Sequence, residues 1–140
     1  MSGRKKKILW IDDDIGYIEP HIEEVGRIYE VVTAHDVDDA WQKILQATKI
    51  NDPFSGFIVD ILLPYGESIN AEDADGGLKT GIAFVEQLKA TENYRSIPVV
   101  VFTIRWSADV DELTKKYGIP VIRKQDPLDE LIVAVNNAFG

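Results

Sequence analysis

Ile8-Leu9-Trp10-Ile11-Asp12-Asp13-Asp14 is four consecutive apolar residues that stop at three acids. A continuous apolar run this short marks a strand buried on both faces, as in a parallel sheet flanked by helices. The same design returns three times. Phe57-Ile58-Val59 runs into Asp60, Val99-Val100-Val101-Phe102 into Thr103, and Val121-Ile122-Arg123 into Lys124. Parallel strands all point one way, so residues at their C-terminal ends gather on one edge, where open α/β sheets hold their ligands. Three carboxylates, a hydroxyl and an ammonium are therefore expected to share one crevice.

Between these runs the apolar spacing becomes helical. Ile15, Ile18, Ile22 and Val25 outline a first helix with Asp14 as its N-cap and Gly26 near its end. A second strand, Tyr29 to Thr33, precedes Val37, Ala40, Trp41, Ile44 and Leu45, one stripe of a second helix capped by Asp36. Asn51-Asp52-Pro53 marks a turn before the third strand, Phe57 to Ile61. Leu78, Ile82, Val85 and Leu88 outline a third helix, and Val110, Leu113 and Tyr117 a fourth. Ile119 to Ile122 is a fifth strand. Asp126 as N-cap and Pro127 at the first helical position open a last helix carrying Leu128, Leu131, Ile132 and Val135. Five βα units predict an α/β fold: a doubly wound, flavodoxin-like, five-stranded parallel sheet in the order 2-1-3-4-5, with helices on both faces. The first and third strands are neighbours in that order, which brings Asp12, Asp13 and Asp60 together.

At 140 residues the chain fits one domain, residues 1–140. Its net charge of −9 argues against direct nucleic-acid binding, which needs a basic face to displace counterions from phosphates. The absence of cysteine rules out disulfides and thiolate metal sites. Arg4-Lys5-Lys6-Lys7 precedes only four apolar residues, far short of a signal-peptide core or a membrane span, so a cytoplasmic protein without membrane insertion is expected. From Pro64 to Gly77 the chain is polar, acidic and rich in turn formers. Connections above about 12 residues are uncommon in compact domains. This one is expected to be an excursion beside the site, ordered only in part, with Gly76-Gly77 as the turn into the third helix. That pair is no phosphate cradle, because it lacks the strand and lysine of a P-loop.

Asp12, Asp13 and Asp60 offer hard oxygen ligands without sulfur or imidazole, a donor set suited to Mg²⁺. Without a cation such close carboxylates repel and raise one another's pKa, so a divalent ion relieves the strain. A carboxylate can also attack phosphorus to give an acyl phosphate, and Asp60, at the end of the central strand, is best placed to do so. Lys124 would neutralise phosphoryl oxygens and the Thr103 hydroxyl would donate to another. Each residue alone has a plainer role: an Asp after a strand commonly caps the next helix, and Asp14 is read that way. The conjunction of all of them at separate strand ends is what points to phosphoryl transfer.

The chain resembles the receiver domain of two-component response regulators. The resemblance rests on Ile8-Leu9-Trp10-Ile11-Asp12-Asp13, on Phe57-Ile58-Val59-Asp60 with Pro64 four residues later, on Val101-Phe102-Thr103 and on Val121-Ile122-Arg123-Lys124. It implies Asp60 as phosphoacceptor, Asp12 and Asp13 as Mg²⁺ carboxylates, Leu62 as the donor of a backbone carbonyl to the metal, and Thr103 and Lys124 as switch hydroxyl and phosphate-binding lysine. It also implies a phosphohistidine donor on a sensor histidine kinase or phosphotransfer protein, and an unidentified output partner. Self-phosphorylation and slow self-dephosphorylation, with no separate substrate turnover, would be its whole chemistry.

Departures from the family pattern bear on the output. Ile104 follows the threonine where receivers usually carry a small residue, and is expected to crowd the phosphate entrance. Val121 stands where an aromatic switch residue is usual. Gln125 replaces the proline that usually follows the lysine through a cis bond; since a cis non-proline bond costs about 2.5 to 4 kcal/mol, the expectation is a trans bond with an altered turn or a retained strain. Arg105-Trp106 follows, with Trp106 expected to pack on the fourth helix. Two other readings stay open: a phosphorylation-independent pseudo-receiver that binds constitutively, and a small aspartate-nucleophile phosphatase using the Asp-x-Asp of Asp12 and Asp14. The sequence carries no effector domain after Gly140. It therefore fits either a single-domain receiver acting by docking or a receiver from a longer protein.

Overall fold

A computed structural model describes residues 4–64, 66–77, 79–104 and 107–140. Five parallel strands, β1 (Lys7–Ile11), β2 (Glu30–Ala34), β3 (Gly56–Val59), β4 (Val99–Thr103) and β5 (Val121–Arg123), form one sheet in the order β2-β1-β3-β4-β5. They alternate with α1 (Ile15–Val25), α2 (Val37–Lys49), α3 (Thr80–Ala90), α4 (Ala108–Tyr117) and α5 (Leu128–Phe139). The fold is the doubly wound, flavodoxin-like one that the apolar pattern predicts.

Successive strand side chains face opposite sides of the sheet, so each central strand feeds two cores. Leu9, Ile11, Phe57, Val59, Val99 and Val101 pack against the inward stripes of α2, α3 and α4. Ile8, Trp10, Ile58, Val100 and Phe102 pack against α1 and α5, through Ile18, Val25, Leu131, Val135 and Phe139. Each fully buried side chain of this size contributes roughly 1.5 to 3 kcal/mol. This two-sided burial explains why β1, β3 and β4 read as unbroken apolar runs. It also locks their register: Ile11 stands level with Ala34 on one side and Val59 on the other. β2, β1 and β3 therefore end together, while β4, with Val101 level with Val59, runs on to Thr103.

Several expected boundaries move. β2 lies one residue later than predicted. β3 stops at Val59 because the Asp60 carboxylate takes the Ile61 amide, at 2.7 Å, and turns the chain out of the sheet. β5 begins at Val121 because Pro120 has no N–H to give the ladder, although its carbonyl still accepts from Val101 at 2.9 Å. Asp14 and Asp36 cap α1 and α2 as expected, accepting from the amides of Tyr17 and Asp39. Asp126 does not cap α5. Pro127 occupies the cap position, and the Asp126 carboxylate reaches back to the Arg123 amide at 3.0 Å. The bond after Lys124 is trans, as are all described peptide bonds.

The long β3–α3 connection is better held than its polar composition suggests. The Asp38 carboxylate, in the first turn of α2, accepts from the Glu67 and Ser68 amides, each at 2.9 Å, and from the Ser68 hydroxyl. Gln87 of α3 donates to the Ser68 carbonyl at 2.9 Å while accepting from Trp41 Nε1 at 3.0 Å. Ile69 and Ala74 are buried in the α2–α3 core. The segment then turns through Asp75–Gly77, with Gly76 and Gly77 at positive φ of 65° and 104°, into α3. Tyr65, Leu78, Arg105 and Trp106, and the readings placed on them, lie outside the described residues.

Candidate phosphoacceptor site

Asp12 follows β1, Asp60 follows β3, Thr103 ends β4 and Lys124 follows β5. The sheet ladder sets their spacing. The Asp12 amide donates to Ala34, the Asp60 amide to Ile11 and the Lys124 amide to Thr103, at 3.0, 3.0 and 2.9 Å. Asp12, Asp60, Thr103 and Lys124 are all buried, whereas Asp13 faces solvent. One carboxylate oxygen from each of Asp12, Asp13 and Asp60 lies within 4.8 Å of the other two. Leu62, two residues beyond Asp60, is half-buried.

The Lys124 ammonium bridges the buried carboxylates, 2.6 Å from Asp12 Oδ2 and 3.0 Å from Asp60 Oδ2. The second contact is a directed hydrogen bond. The first is short but misaligned, leaving Asp12 Oδ2 a buried oxygen without a directed donor. The contact is a close ion pair. The remaining oxygens are turned to the backbone: Asp12 Oδ1 accepts from the Asp14 amide at 2.8 Å, and Asp60 Oδ1 from Ile61.

Burial pushes the Asp12 carboxyl up to about 6, against the opposing pull of Lys124 and the Asp14 amide, with the Asp60 charge adding to the rise. Burial works against the charge on Lys124 too, but Asp12 and Asp60 outweigh it and its pKa is raised. The pocket thus holds more negative charge than one ammonium satisfies. A hard divalent cation fits that arrangement: the donors are all oxygen, three carboxylates converge, and Asp12 Oδ2 is a buried acceptor left without a directed partner.

No family model and no curated protein matches the chain. Solved structures do. Chemotaxis protein CheY4 of Vibrio cholerae superposes at a TM-score of 0.67 with 22% identity, over 96% of this chain and 98% of that one. A CheY-like receiver domain protein from Methanospirillum hungatei gives 0.70 with 19% identity, over 95% and 92%. The phosphorylated cyanobacterial phytochrome response regulator RcpA gives 0.67 with 22% identity, over 95% and 90%. The chain has the CheY-like receiver fold.

On that receiver fold, every site residue picked from the strand ends comes to one edge of the sheet. Ile104, expected to crowd the entrance, is 55% exposed directly after buried Thr103. The Asp14 carboxylate caps α1, and the carboxylates grouped with Asp12 among the described residues are those of Asp13 and Asp60. Two neighbours escaped the sequence reading. Tyr17, 53% exposed, places its ring 5.9 Å from Lys124 Nζ. Gly81 of α3 sits against the Asp60 backbone. Tyr17 falls on the outer side of an amphipathic helix and Gly81 just inside a helix start, positions where spacing alone signals nothing.

Proposed function

We propose that residues 1–140 form one cytoplasmic receiver domain. In it Asp60 accepts a phosphoryl group from a phosphohistidine on a sensor histidine kinase or phosphotransfer protein, and the phosphorylation state alters docking of an output partner. The observation that carries this reading is the Lys124 ammonium held between Asp12 and Asp60 beside a third carboxylate, Asp13. The likeness to receiver structures supports the same reading through the fold. Among the described residues no helix is long and apolar enough to cross a membrane.

In the transfer, an Asp60 carboxylate oxygen forms a bond to phosphorus as the bond from phosphorus to the donor imidazole nitrogen breaks. Lys124 exchanges part of its contact with Asp60 for a phosphoryl oxygen, keeping its charge within the pocket. Thr103, buried at the end of β4, supplies a hydroxyl for a second oxygen. Asp12, Asp13 and Asp60, with the Leu62 carbonyl, would hold Mg²⁺. That ion would supply charge neutralisation for the phosphoryl oxygens. Hydrolysis of the acyl phosphate returns Asp60 to its free form, and no further substrate is turned over.

Intact mass after treatment with acetyl phosphate and Mg²⁺ tests the reading. A phosphate-sized gain in the wild type and none in Asp60→Asn is expected. An unmodified wild type, with no structural response to beryllofluoride, would instead indicate a constitutive binding module.

A further inference from the structure

We infer that Tyr17 is a positioning residue for Lys124, and that its ring sets the rate at which the phosphoryl group is gained and lost at Asp60. The inference rests on the phosphoacceptor reading of that site. Lys124 has carboxylates on two sides, Asp12 Oδ2 at 2.6 Å and Asp60 Oδ2 at 3.0 Å. The Tyr17 ring stands 5.9 Å from the same ammonium, within the range of attraction between a cation and an aromatic ring. Lys124 is only 7% exposed, while Tyr17 is 53% exposed. The ring is thus the solvent-side neighbour of a charge the rest of the pocket encloses.

Its placement is built into the start of α1. The Tyr17 amide donates to Asp14 Oδ1 at 3.3 Å and to the Asp14 carbonyl at 3.2 Å. The Asp14 amide in turn donates to Asp12 Oδ1 at 2.8 Å. One short run of chain therefore fixes both the carboxylate that pairs with Lys124 and the ring beside it. A lysine stem is flexible and its ammonium is strongly hydrated. A ring at this position limits the hydration and rotation that would draw Lys124 away from Asp60. Replacing the ring with an aliphatic side chain frees the ammonium to swing toward water, leaves the entering phosphoryl group less neutralised, and slows transfer.

The test compares Tyr17→Leu and Tyr17→Phe with the wild type, following the Lys124 Cε methylene signal by NMR, assigned with Lys124→Arg, and acetyl phosphate labelling of the full chain. In Tyr17→Leu the signal is expected to lose its ring-current shift and labelling to slow by about three- to fivefold. Tyr17→Phe, which keeps the ring, is expected to restore both. A slower Tyr17→Leu with an unmoved Lys124 signal would overturn the inference, because the ring would then act on access alone, and so would a variant unchanged in both. Failure of the wild type to take phosphate, with the Lys124 signal still moving in Tyr17→Leu, would instead overturn the phosphoacceptor reading and leave the contact standing.

Discussion

Gly81 backs directly onto Asp60: a Cβ at Gly81 would lie 2.0 Å from the Asp60 carbonyl oxygen and 2.6 Å from Ile61 Cα. The Gly81 amide donates to the Ile61 carbonyl at 2.9 Å, so the first turn of α3 is fastened to the residue that follows Asp60. The close approach fixes the Asp60 backbone from beneath while Lys124 holds its side chain from the sheet edge.

Gly81→Ala is therefore expected to push α3 away from the acceptor. The clash is with backbone, which cannot swing aside as a side chain would, and the cost is about 1 to 3 kcal/mol. Urea unfolding reads the loss as a lower midpoint at unchanged slope. Labelling of Asp60 by acetyl phosphate should fall in the same variant. Retention of wild-type stability would mean that α3 shifts freely at this point.

Asp38 is expected to act as the anchor of the β3–α3 connection. Its carboxyl is held below the ordinary value of 3.8, first by the Ser68 hydroxyl and then by the Glu67 and Ser68 amides. A group with a depressed folded pKa stabilises above its unfolded value and loses that contribution as pH falls through the folded one. The amides of Glu67 and Ser68 should therefore be protected from hydrogen exchange at neutral pH and released only below about pH 4. Asp38→Ala should raise their exchange by about tenfold at neutral pH. Equal protection in the variant would show that Gln87 and the buried Ile69 suffice.

Leu62, two residues after Asp60, and Ile104, directly after Thr103, are expected to slow hydrolysis of the phosphorylated form, Leu62 from beside Asp60 and Ile104 by narrowing access. Ile104→Ala and Leu62→Asn should each shorten the lifetime of the acyl phosphate severalfold in a dephosphorylation time course. Unchanged lifetimes in both would remove these side chains from control of water attack.

The fold was legible because burial on both faces leaves no freedom in β1, β3 and β4: such strands must be apolar throughout, and the first polar residue announces the sheet edge. That signal also located Asp12, Asp60 and Thr103; Lys124 follows the partly buried β5, whose last residue Arg123 is exposed, and was found from the shorter apolar pair before it. What stayed hidden depends on distant partners. Asp38 lies in a helix first turn, where an acid is ordinarily explained by the helix dipole; nothing in its spacing tells that a loop 29 residues later will dock on it. Asp126 followed by Pro127 matches a helix start, yet the carboxylate is drawn to the Arg123 amide, because the short β5 leaves that group to be satisfied locally.

Asp12 is expected to make the metal-free protein less stable as pH rises from about 4 to about 6. Burial lifts its carboxyl from 3.8 to about 6, so across that window the folded chain keeps a proton that the unfolded chain has released. Stability then falls with pH, because the folded state binds more protons. Lys124, whose pKa is raised above 10.5, contributes equally across the window and does not mask the trend. Mg²⁺ competes with the same proton, so its affinity should weaken as pH drops below about 6, and saturating Mg²⁺ should flatten or reverse the fall. Asp12→Asn should abolish the slope and stabilise the metal-free chain at neutral pH while weakening Mg²⁺ binding. Urea unfolding on either side of pH 6, with and without Mg²⁺, measures all of these together. If the wild type and Asp12→Asn share one pH profile, the buried carboxyl at the end of β1 is not the group that responds.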